Sequence, residues 1–108
     1  MKLVIVQWPR VERDLAEHYA YIAQDKVGPA ERLLVVANEA LDRLARNPSI
    51  GTVWKSSRPH LKDLHFYPLP APYRSYIVFY QVTETQLEVI AVLHGARNLE
   101  GVLQDILE

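Results

Sequence analysis

Apolar residues Val11, Leu15, Tyr19 and Ile22 recur at spacings of four, four and three, which puts them on one helix face. Ala30, Leu33, Leu34, Ala37, Leu41 and Leu44 repeat the pattern and predict a second helix over Pro29–Asn47. Between the two stripes, Lys26–Pro29 reads as a stop and a start. Gly28 suits a left-handed C′ position and Pro29 the first helical position. Arg13 with Glu17, and Glu39 with Arg43, stand four apart as ion pairs for the wet faces. Ahead of the helices, the short β-branched run Lys2–Gln7 predicts a strand buried on both faces, ended by Trp8-Pro9. Ser49–His60 is polar and turn-rich, a loop. Beyond it the period falls to two. Leu61–Leu69 predicts a proline-marked strand, Pro70–Arg74 a bend, Ser75–Val82 a strand, Thr83–Gln86 a hairpin turn and Leu87–His94 another strand. Leu99, Val102, Leu103, Ile106 and Leu107 close the chain at helical spacing. The order β-α-α-β-β-β-α predicts an α+β fold. A helical hairpin covers one face of a small, antiparallel-rich sheet. The short C-terminal helix covers part of the other, leaving room for a partner chain.

Length and composition narrow this picture. The 108 residues bound one domain, residues 1–108, and 49% hydrophobic with 23% charged residues is the mix of a soluble globule. There is no cysteine, so disulfides and thiolate metal sites are excluded. The formal net charge of -1 lacks the basic excess expected of a protein that lives on nucleic-acid phosphates. No apolar run is long enough to span a bilayer, and MKLVIVQWPR does not read as a signal peptide, so no membrane partner and a cytoplasmic location are expected.

Candidate chemistry concentrates near the end, in VLHGARN (Val92–Asn98). His94 shares strand parity with Ile90 and Val92. Either its ring packs on that face and bonds a nearby loop, or it serves as an acid/base or anion contact. Arg97 either caps carbonyls to tie the last helix to the sheet or faces a partner as a fork for carboxylate or phosphate. Tyr73, Tyr76 and Tyr80 gather with Arg74 around the middle strand, either as core and rim residues or as faces for stacking on bases. His18 reads as a surface position beside an apolar face and His60 as an exposed loop residue. No two of the four histidines have metal-ligand spacing with a nearby carboxylate, so neither metal nor cofactor is expected. Phosphate loops, nucleophile elbows and paired catalytic carboxylates are absent.

The opening strand, ERDLAEHYAYIA (Glu12–Ala23), ALDRLARNPSIG (Ala40–Gly51), YIVFYQV (Tyr76–Val82) and LEVIAVLHGARN (Leu87–Asn98), in that order, resemble the RelE/ParE superfamily of toxins from bacterial type II toxin–antitoxin (plasmid stabilisation) modules. The resemblance implies a cognate antitoxin, a DNA-binding dimer with a disordered tail that folds on the toxin. It offers two activities. RelE-like members are ribosome-dependent messenger-RNA endoribonucleases, metal-independent, that hold the phosphate with sheet arginines and lysines and use a late tyrosine or histidine for proton transfer. ParE-like members poison DNA gyrase. Laid on this chain, the ribonuclease set puts its strand arginine at Ile77, its late tyrosine near Leu103, a basic residue near His65 and its strand-end arginine at Arg97. Only Arg97 is kept, and the VLHGAR ending is that of ParE-like members. The resemblance therefore implies a non-enzymatic toxin that inhibits growth by binding gyrase or another protein target, with Arg74, Tyr80, His94 and Arg97 as target contacts. A ribonuclease with an altered site would use His65, Arg74, His94 and Arg97.

Overall fold

Strand β1 (Val4–Gln7) ends at Trp8, whose extended backbone caps helix α1 (Pro9–Ala23) with Pro9 at the first helical position. Proline suits that place because its missing N–H would have no intrahelical partner there. Helix α2 (Val27–Arg46) begins two residues before Pro29, and Gly28 lies inside its first turn. No described residue has positive φ, so the left-handed cap expected of Gly28 is not used; α1 ends instead with Gln24 in right-handed helical geometry. The structure, a computed structural model, describes residues 2–108 apart from the His60 side chain, so the exposure expected of His60 lies outside the described residues.

Ala30, Leu33, Ala37, Leu41 and Leu44 of the second stripe are buried, and Leu34 is half-buried at its margin. The two i,i+4 pairs expected on the wet faces do not form. Arg43 donates instead to the Tyr67 hydroxyl at 3.2 Å. Asp42 takes the ion pairs of this region, from Arg46 at 3.0 Å and from Lys2, and these two partners hold its carboxyl below the usual carboxylate range.

The sheet has five strands in the order β1-β5-β4-β3-β2, with β2 (Thr52–Val53), β3 (His65–Pro68), β4 (Tyr76–Val82) and β5 (Gln86–His94). All neighbours are antiparallel except β1 and β5, which the helical crossover makes parallel. Two expectations change here. Strand β2 falls inside the predicted loop. And β1 is an edge strand, with Val4 61% exposed, rather than a strand buried on both faces.

The hairpin of α1 and α2 packs on the face that carries Tyr76, Val78, Tyr80, Leu87, Val89 and Val92. Helix α3 (Leu99–Leu107), with Trp54, Leu61 and Leu64, covers the other face, around Ile77, Phe79, Ile90, Ala91 and Leu93. A bulge lies between these sets: Phe79 pairs with Ala91 and Tyr80 with Val89, so Ile90 is an extra residue. Ile90 and Val92 therefore lie on opposite faces, and the shared parity expected of Ile90, Val92 and His94 fails at that point.

Candidate functional site

Strand β1 pairs with β5 only as far as Gln7 opposite Val89, and Trp8 donates to the Val89 carbonyl at 2.8 Å. Beyond that point the edge of β5 would be bare inside the protein, which is costly for backbone groups. Helix α1 closes it with side chains. Asp14, 4% exposed, accepts the Val92 N–H at 3.0 Å, and His18 Nε2 lies 2.7 Å from the Val92 carbonyl. A carbonyl only accepts, so Nε2 of His18 carries the proton. Arg10 neutralises Asp14 through a fork, Nη2 to Oδ1 at 2.8 Å and Nε to Oδ2 at 3.1 Å. Arg10, Asp14 and His18 are four apart, one helix stripe beside the apolar one. That spacing was visible in the sequence, but the role was not, because it follows from where β1 stops. His18 is thus a structural clamp and not merely a surface residue.

The same end of the sheet carries a row of three rings. Tyr76 meets His18 edge-on with centroids 4.8 Å apart and His94 edge-on at 5.1 Å. Burial raises the Tyr76 hydroxyl above its ordinary pKa, with Tyr21 and Tyr73 adding to the shift. His94 Nδ1 accepts the Ala96 N–H at 3.1 Å, the His94 carbonyl accepts the Arg97 N–H at 3.2 Å, and Gly95 donates to the Ser75 carbonyl at 2.6 Å. These bonds turn the chain from β5 toward α3, whose cap Asn98 accepts the Gly101 N–H at 3.3 Å. His94 therefore does structural work: its ring packs on Tyr76 and its nitrogen holds the turn. Arg97 bonds only through its backbone. Its side chain is exposed, with no ion pair among the described residues, and it lines a surface depression of about 430 Å³ with Arg10, Val102, Asp105 and Ile106.

The candidates do not converge. Arg74, exposed, precedes Ser75 at the end of the sheet shared with His94 and Arg97. His65 pairs with Tyr80 on the ladder, four residues along β4 from Tyr76, which is about 13 Å at ~3.3 Å per residue. Its ring stacks on Tyr80 at 5.4 Å and its Nδ1 lies 3.1 Å from the Asp63 carbonyl. Tyr80 itself is fully buried and donates to the Pro48 carbonyl at 2.7 Å, and burial raises its pKa. It cannot touch a target, which corrects its place among the target contacts. Tyr73 is buried as well, its hydroxyl on the Pro29 carbonyl at 2.7 Å, so neither ring offers a face for stacking on bases.

The positions that the ribonuclease set would fill lie on different faces. Ile77 and Leu103 belong to the apolar cluster beneath α3, with Leu103 fully buried, whereas His65 lies on the hairpin face against Tyr80. Among the described residues no three histidine or carboxylate side chains gather as metal ligands. Alongside the hairpin runs a groove of about 420 Å³ formed by Leu15, Ala16, Tyr19 and Leu34, flanked by Glu12 and Asn38.

Comparison with known proteins follows these features. Residues 5–99 match the family model for the ParE toxin of the type II toxin–antitoxin system parDE. Among solved structures the chain is similar to one described as the chromosomal ParDE TA system from P. aeruginosa, with a TM-score of 0.67 and 13% identity over 86% of this chain and 96% of that one. At that identity the likeness speaks for the fold alone. Comparison with curated proteins gives no match. The family match spans the helical hairpin, the sheet and the turn that carries His94 and Arg97, and the chain belongs to the ParE toxin family of type II toxin–antitoxin systems.

Proposed function

We propose that this ParE-family toxin inhibits growth in the cytoplasm by binding DNA gyrase, without catalysis of its own, and that a cognate antitoxin neutralises it. One observation carries the first half. Where a ribonuclease of the superfamily would present an arginine and a tyrosine to a scissile phosphate, this chain has Ile77 and Leu103 in one apolar cluster. A phosphoryl-transfer site must stabilise added negative charge with fixed donors, and an apolar contact under a helix supplies none. Arg74 and Arg97, exposed at the end of the sheet, remain as target contacts together with the rim of His94.

The antitoxin half is supported by family membership and by the groove of Leu15, Ala16, Tyr19 and Leu34, an apolar seat for a segment that folds on binding. The solved relative is itself described as a ParDE system. Expression from a tight promoter tests the reading. Stalled DNA replication should precede any loss of messenger RNA, and co-expression of the neighbouring antitoxin should restore growth. Cleavage of messenger RNA on ribosomes before replication stalls would favour the ribonuclease.

A further inference from the structure

The free edge of the sheet at β2 has features that the toxin reading does not use. Strand β2 is outermost, and only its inner side is paired, with β3. Trp54 donates its N–H to the Leu64 carbonyl at 2.8 Å, so by the alternation of an antiparallel ladder the N–H and C=O of Val53 point outward. No hydrogen bond among the described residues reaches either group. The Val53 side chain is 51% exposed. Beside it, Thr52, Trp54, Lys55 and Phe66 complete a shallow, mainly apolar depression of about 360 Å³. Trp54 is held in place there, edge-on to Phe66 and Phe79 at 5.6 and 5.5 Å, with its indole N–H on Glu100 at 3.3 Å.

The charge around this edge has one sign. From Gly51 the chain carries Lys55, Arg58 and Lys62 before its first acid, Asp63, in a protein whose formal net charge is -1. Arg58 is engaged with Gln104 at 2.8 Å and lies 3.9 Å from Glu100. Lys55 and Lys62 are exposed and have no ion pair among the described residues.

We infer that the β2 edge is a docking site for an extended, acidic peptide segment of a partner protein, which adds a strand beside Val53, lays an apolar residue against Trp54 and Phe66, and sets carboxylates on Lys55 and Lys62. An open edge supplies main-chain affinity and the flanking pockets supply selectivity. A peptide is favoured over RNA because the unused groups are a backbone donor and acceptor, and because Trp54 and Phe66 spend their rings on each other and on Phe79. The inference does not depend on gyrase being the target.

Fluorescence anisotropy with a labelled decapeptide of alternating glutamate and valine tests it on the full chain. The expected result is saturable binding that weakens with salt, with no binding of the matching lysine–valine peptide or of dodecauridylate. The double variant Lys55→Glu/Lys62→Glu should weaken the acidic peptide at least ten-fold. Val53→Pro should do the same, since its outward N–H makes no ladder bond and proline is tolerated at such an edge. Circular dichroism checks that each variant folds, and the charge variant decides alone if Val53→Pro does not. No saturable binding of the acidic peptide, binding unchanged in the folded variants, or preference for dodecauridylate overturns the inference.

Discussion

The two faces of the sheet are built from different materials. The hairpin face holds Tyr73, Tyr76, Tyr80, His18, His94 and the buried Asp14, each tied to a backbone group or a neighbouring ring. The face under α3 is almost wholly aliphatic and aromatic, and its polar bonds, from Trp54, Ser56 and Arg58 to Glu100 and Gln104, lie at its margin. The difference separates polarity from chemistry. The residues that look reactive in the sequence are mostly committed to holding the hairpin face together, and the face where a ribonuclease would need polar groups is filled with apolar ones.

Substitutions on each face sharpen that contrast. The largest loss is expected from Leu103→Ala beneath α3, a fully buried leucine, at about 3 kcal/mol by urea unfolding. Asp14→Ala should cost about 2 kcal/mol, because it orphans the Val92 N–H and leaves Arg10 without its carboxylate, discounted for the partial exposure of Arg10. Equal stability of Asp14→Ala and the wild type would show that the β5 edge needs no clamp. Gly51→Ala should cost about 1.5 kcal/mol, since a Cβ there collides with the hydroxyl and ring of the buried Tyr80.

Alkaline pH separates the faces in another way. Burial raises the pKa of Tyr76 and Tyr80 in the folded state above the unfolded value of 10.0. A group with a raised folded pKa contributes stability that is full below its unfolded pKa and is lost as pH rises through the folded one. Stability should therefore fall above about pH 10, and Tyr76→Phe should reduce the drop. A drop of the same size in that variant would assign the effect elsewhere.

The smallest stability effects are expected where function is proposed. Arg97→Ala should change stability by less than about 0.5 kcal/mol while relieving growth inhibition, because its side chain has no partner among the described residues. A lowered melting temperature with proportionate loss of toxicity would instead make Arg97 a tie to α3. His94→Gln should remain toxic: glutamine can still accept the Ala96 N–H, and binding gyrase needs no group that titrates near neutral pH.

Where an element's own pattern dictated its form, it could be read in advance. The stripe of Ala30, Leu33, Ala37, Leu41 and Leu44 and the alternating strands β4 and β5 were legible because burial on one face leaves a period in the chain. Strand β2 was not, because two residues carry no period and it exists only through pairing with β3. The bulge at Ile90 was hidden for a similar reason: its mismatch with β4 is a relation between strands. Of the site, Arg97 was correctly placed at the exit from the sheet, and the resemblance identified the family. Tyr80 was misplaced because a tyrosine at period two looks alike whether its hydroxyl meets solvent or a buried carbonyl such as that of Pro48. Asp14 was missed because a carboxylate on a helix reads as wet until the neighbouring strand is seen to stop short.

The central claim is that this toxin acts on gyrase without catalysis, and purified components test it most directly. The toxin is added to DNA gyrase with relaxed plasmid and, in parallel, to translating ribosomes with a defined messenger RNA. The account predicts loss of supercoiling at near-stoichiometric toxin, reversed by the antitoxin, with the messenger RNA intact. Uninhibited gyrase together with cleavage of the ribosome-bound message would contradict it.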